Sequence, residues 1–115
     1  MITAKIENHL VNVAVLGEFS LTDFKEFEEA VATGLQGNAA VNVLVDLRDM
    51  IGFTVDVAWE DLKFSRQHLR DFRRMAIVTE DQWITWSAWL SNLFVQAAVQ
   101  VFKDYDEALS WVSAP

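Results

Sequence analysis

The run Val41-Asn42-Val43-Leu44-Val45 constrains this chain more than any other stretch. It is short, apolar and β-branched, the composition of a buried strand, and such strands belong to parallel sheets flanked by helices. Met75-Ala76-Ile77-Val78 and Val99-Gln100-Val101-Phe102 repeat the signature. Between them the period changes. Leu21, Phe24, Phe27 and Val31 recur at helical spacing behind Ser20 and Asp23, a pair that resembles a capping box. They predict a helix to about Thr33, stopped by Gly34 and Gly37-Asn38. Residues 46–56 read as a loop containing Gly52, and Asp56 is placed to cap a helix through Ala58, Leu62 and Leu69. Another helix follows Val78. Residues 106–112 predict a short closing helix in which Ala108, Leu109, Trp111 and Val112 can pack. At the start, residues 2–6 and 10–15 alternate loosely and predict a β-hairpin ending at Gly17. The expected order is ββαβαβαβα, an α/β class with a mixed five-stranded sheet and right-handed crossovers.

A chain of 115 residues with 52% hydrophobic content suits one domain, residues 1–115, with a real core. The formal charge of -8 argues against nucleic acid as a partner, because neutralising phosphates takes a basic surface. With no cysteine, thiolate metal sites, disulfides and cysteine nucleophiles are excluded. The opening residues lack the pattern of a signal peptide, so the expected location is cytoplasmic. The four glycines are scattered, and His9 and His68 share no local metal spacing. Glu60 and Asp61 point about 100° apart on a helix and read as helix N-terminal acids, not as a carboxylate dyad. No catalytic residue, no metal site and no cofactor is expected, and the protein reads as a non-enzyme.

Four stretches, taken in order, carry a family resemblance: Gly17 after the second strand, LVDLRDMIGFTVDVAWEDLKF, RRMAIVTEDQW and VQVFKDYDEALSWV. Together they resemble the SpoIIAA-like family, small bacterial proteins related to anti-sigma-factor antagonists, with STAS-like and Sec14-like relatives. The resemblance spans nearly the whole chain. It implies a single STAS/SpoIIAA-like domain, and two kinds of work: protein-interaction regulation, or binding of an apolar ligand or membrane surface. In the antagonists it implies a phosphate-accepting serine at a helix start, after a strand ending in Asp. Here that strand ends at Asp46, and residues 53–57 contain no serine. Thr54 is the sole hydroxyl there, and Asp56 reads as an N-cap. No phosphorylation is expected in this segment.

Between Asp81 and Lys103 there is no charged side chain, and three of the five tryptophans lie there. On a helical wheel Trp83, Trp86, Trp89, Leu90, Leu93, Phe94 and Ala97 share one broad face, with Thr85, Asn92 and Gln96 opposite. The polar residues and the change to strand near Ala98 argue against a membrane span. One reading makes these rings core that covers the sheet. The other makes them, with Trp59, the lining of a site for a hydrophobic small molecule or lipid, able to lean reversibly on a membrane as a peripheral association. A dimer formed through the tryptophan face is a further expectation. Five of the nine basic residues, Lys63, Arg66, Arg70, Arg73 and Arg74, cluster in sequence. They read either as a solvated face or as a contact for an anionic surface. The primary expectation is hydrophobic-ligand binding, and the alternative is a protein-interaction module without the switch serine.

Overall fold

Strand and helix positions follow from residues 1–7, 10–36, 40–53, 72–80 and 98–114, which the computed structural model describes. They run β1 (Ile2–Glu7), β2 (Leu10–Phe19), α1 (Leu21–Gly34), β3 (Val41–Phe53), β4 (Phe72–Val78), β5 (Ala98–Phe102) and α2 (Tyr105–Ser113). The strands form one sheet in the order β1-β2-β3-β4-β5. β1 is antiparallel to β2, and every later pair is parallel. This is the mixed α/β sheet that the hairpin and the three apolar runs predict. The two helices expected between β3 and β4 and between β4 and β5 fall on residues outside the described ones.

Cross-strand register explains why the two sheet faces differ. One row runs Ala4, Val13, Val45, Ile77, Val101, and another Ile6, Val11, Val43, Met75, Val99. On this face Phe24, Phe27 and Val31 of α1 join the core. Fully burying each such side chain is worth about 1.5–3 kcal/mol. Side chains alternate across a strand, so the intervening rows belong to the opposite face. They read Thr3, Ala14, Asp46, Val78, Phe102 and Lys5, Asn12, Leu44, Ala76, Gln100. These rows are largely apolar towards β4 and polar towards β1. The short helix α2 covers the apolar part, where Ala108 and Val112 form a second cluster with Leu44, Ala76 and Val78. Among the described residues, nothing covers the polar part.

The capping box at α1 is present: the Asp23 N–H donates to Ser20 Oγ, and the Ser20 N–H donates back to Asp23 Oδ2 at 3.0 Å. Asp23 Oδ2 also accepts from Ser20 Oγ and from the Met1 ammonium, each at 2.9 Å. Burial pushes this carboxyl's pKa up, but the hydrogen bonds from Ser20 and the ammonium outweigh burial and hold it below the usual carboxylate range. At the other end, α1 stops without a left-handed residue, since Leu35 caps it in right-handed conformation. Gly34 serves close packing instead of the chain reversal expected of it. A Cβ there would lie 2.8 Å from Val11 Cγ2. The positive φ of 72° belongs to Gly17, inside β2, next to a register shift.

The expected loop from residue 46 is a strand as far as Phe53. β2 extends past Gly17 to Phe19 and pairs with it in parallel, Phe19 opposite Phe53. Two register shifts accommodate the extension.

Candidate functional site

Isolated helices as short as the nine-residue α2 are marginal in water, so tertiary contacts must hold it. Polar side chains fix both its ends. At its start, Asn12 Nδ2 donates to Tyr105 Oη at 2.7 Å, and the Arg48 guanidinium lies 5.2 Å from the Tyr105 ring centroid. At its finish, Asn42 Nδ2 donates to the Val112 carbonyl at 2.9 Å, and Arg74 Nη1 donates to the carbonyls of Trp111 and Ala114 at 2.8 and 3.0 Å. Arg74 also lies over the Trp111 ring at 5.5 Å. Asn42 is buried and uses both ends of its amide, since its Oδ1 accepts the Arg74 N–H where the β3–β4 register shifts.

Arg48 is itself held. Its Nε donates to Asp46 Oδ1 at 2.9 Å and its Nη2 to Asp46 Oδ2 at 2.7 Å, a two-pronged pair between neighbours on one face of β3. Hydrogen bonding to Asp46, offset in part by desolvation, pushes the guanidinium pKa up, so Arg48 is a fixed positive charge. Its backbone N–H donates to the same carboxylate at 3.1 Å. Beside this pair lies an open trough of about 440 Å³, lined by Thr3, Ala4, Lys5, Asn12, Ala14, Asp46, Arg48 and Tyr105. A smaller hollow of about 200 Å³ continues past Lys5 and Tyr105 towards Glu7, Leu10 and Leu109. The trough is rich in hydrogen-bond donors. Among the described residues no group of three or more His, Asp or Glu could hold a metal ion. The arrangement can recognise a polar group.

Trp59, Trp83, Trp86, Trp89, Leu90, Leu93 and Phe94 lie outside the described residues, as do Lys63, Arg66, Arg70 and Thr54. Of the basic cluster, Arg73 and Arg74 are described, and they are separated in role. They are neighbours on β4, so they face opposite sides of the sheet. Arg73 is exposed, and Arg74 is half-buried at the end of α2. Among the described residues no helix is long and apolar enough to cross a membrane. Sequence reasoning missed the trough. Its residues come from β1, β2, β3 and α2, and only the alternation of polar residues in residues 3–5 and 12–14 hinted at a half-face left uncovered.

A family model described as SpoIIAA-like matches residues 10–113. No curated protein sequence matches the chain. Among solved structures, an uncharacterised DUF3478-family protein with a SpoIIAA-like fold, from Shewanella loihica PV-4, is similar with a TM-score of 0.79 at 24% identity, over 96% of this chain and 93% of that one. An anti-sigma factor antagonist from Mycobacterium paratuberculosis is similar with a TM-score of 0.61 at 18% identity, over 99% and 96%. The anti-sigma factor antagonist SpoIIAA in its unphosphorylated form gives 0.60 at 11%, over the full length of both chains. At these identities the likeness shows the fold.

Proposed function

Because the chain belongs to the SpoIIAA-like family, we propose that it is a regulatory module that works by binding another protein. The observation that carries this reading is the match of the SpoIIAA-like family model to residues 10–113, nearly the whole chain. Two of the similar structures are anti-sigma factor antagonists, which favours a protein partner over a catalytic substrate. The module differs from a phosphate-switched antagonist in residues 53–57, which hold Thr54 and no serine. Binding is therefore expected to be independent of phosphorylation.

The test is reconstitution. Anti-sigma factors from the source organism are titrated into the purified chain, and phosphate content is measured by intact mass. A stoichiometric complex formed without phosphate supports the reading. Phosphate on Thr54 that controls the complex would replace it with the switch mechanism.

A second reading rests on the uncharged, tryptophan-bearing stretch between Asp81 and Lys103. In it Trp59, Trp83, Trp86, Trp89, Leu90, Leu93 and Phe94 hold a hydrophobic small molecule or lipid, and Lys63, Arg66, Arg70, Arg73 and Arg74 meet an anionic surface. Tryptophan rings favour the apolar–water boundary, which motivates it. Solvent extraction of the purified protein followed by mass spectrometry decides it, with a co-purifying lipid as the positive result.

A further inference from the structure

Arg48 has one unused side. Its Nε and Nη2 are committed to Asp46, and no described residue accepts from Nη1. Across the trough, Lys5 is exposed and pairs, among the described residues, with Glu7, at 3.3 Å between two solvent-exposed side chains, a contact of little energetic weight. Tyr105 Oη accepts from Asn12, and among the described residues nothing accepts its own proton. Thr3 adds a hydroxyl to the same lining. Asp46 is the opposing acid of the trough, and three N–H donations from Arg48 already satisfy it. Asp49 also acts on Arg48 electrostatically, and Glu7 borders the adjoining hollow. Among the described residues, the trough lining has two cations, Lys5 and Arg48, and one anion, Asp46, in a chain whose formal net charge is -8.

We propose that this trough binds a small soluble organic phosphate through Lys5, Arg48 and Tyr105. The shape of the donor set selects the group. Asp46 occupies the Nε/Nη2 edge of the guanidinium, which leaves the Nη1/Nη2 edge to face a ligand. With Lys5 and Tyr105, this edge makes a set of donors on three elements, β1, β3 and the start of α2, that reach the trough from different directions. A tetrahedral phosphoryl group accepts single hydrogen bonds from several directions. The volume of about 440 Å³ matches sites for small molecules. The proposal goes beyond protein-partner binding and does not depend on it, so each can fail alone.

The experiment is a titration of the full chain with glycerol 3-phosphate, followed by 15N NMR and calorimetry. Citrate and vesicles of phosphatidic acid in phosphatidylcholine serve as separate arms. Saturable binding is expected, with shifts at Thr3, Lys5, Asn12, Arg48 and Tyr105, and with affinity falling as sodium chloride is raised. Lys5→Gln and Tyr105→Phe are each expected to weaken binding, and the double variant by at least about tenfold. Lys5→Gln alters only an exposed side chain, so its reading does not depend on the stability of α2. Absence of saturation by about 10 mM glycerol 3-phosphate overturns the proposal. So does equal affinity for citrate, binding to vesicles alone, or binding that both substitutions leave unchanged.

Discussion

Asn12 and Tyr105 stand 93 positions apart in sequence and share a hydrogen bond of 2.7 Å. The bond ties the first residue of the last helix to the second strand of the sheet. It sits where the covered half of that sheet face gives way to the open half. Tyr105→Phe keeps the ring and removes the acceptor, so it should destabilise the fold by about 1 kcal/mol. Urea denaturation checks this, and an unchanged midpoint would show that the bond contributes nothing net.

The far end of α2 depends on Arg74. Arg74→Met retains the aliphatic stem but loses the hydrogen bonds to the Trp111 and Ala114 carbonyls and the charge over the Trp111 ring. A loss of about 2 kcal/mol is expected, concentrated in α2. Amide hydrogen exchange should quicken in residues 108–114 before it does in β2 or β3. Equal acceleration everywhere would mean that α2 does not open by itself.

These two clamps show what the sequence could and could not convey. Val41 to Val45 is legible as a strand because four of its five side chains are apolar and all five are buried. Its continuation was not, because the buried residues after Asp46 are Leu47 and Met50, three apart, while Arg48, Asp49 and Ile51 are exposed. Bulged pairing with β2 breaks the period of two that marks a strand. Ser20 and Asp23 gave away the start of α1 because a capping box is local. The trough is the opposite case. Lys5, Asn12, Arg48 and Tyr105 each look like ordinary surface until the register sets them side by side. Arg74 sits among other basic residues in sequence, yet strand alternation turns it from Arg73 and directs it to the carbonyls of α2.

Gly34→Ala tests the close approach of α1 to β2. The added methyl would meet Val11 Cγ2 at 2.8 Å and Val41 Cγ1 at 3.3 Å, and both valines are fully buried. Overpacking of this kind should cost about 1–3 kcal/mol, outweighing alanine's better helix propensity. A thermal midpoint at or above that of the wild type would show that the helix end moves away freely.

Asp23 gives a signed pH dependence. Its folded pKa is depressed, so its stabilising effect is complete above the unfolded value of about 3.8 and is lost as pH falls through the folded value. Urea midpoints measured from about pH 6 down to about pH 2 should therefore decline across that range. Asp23→Asn should be less stable at neutral pH and should show a shallower decline. An identical slope in both proteins would remove Asp23 as the titrating group.

Native mass spectrometry of the protein, purified from its own cells without detergent, tests most directly whether it works by binding another protein. A stoichiometric complex with a second polypeptide, formed by an unphosphorylated chain, is the expected result. A chain that carries only a lipid-sized adduct, or nothing, would contradict it.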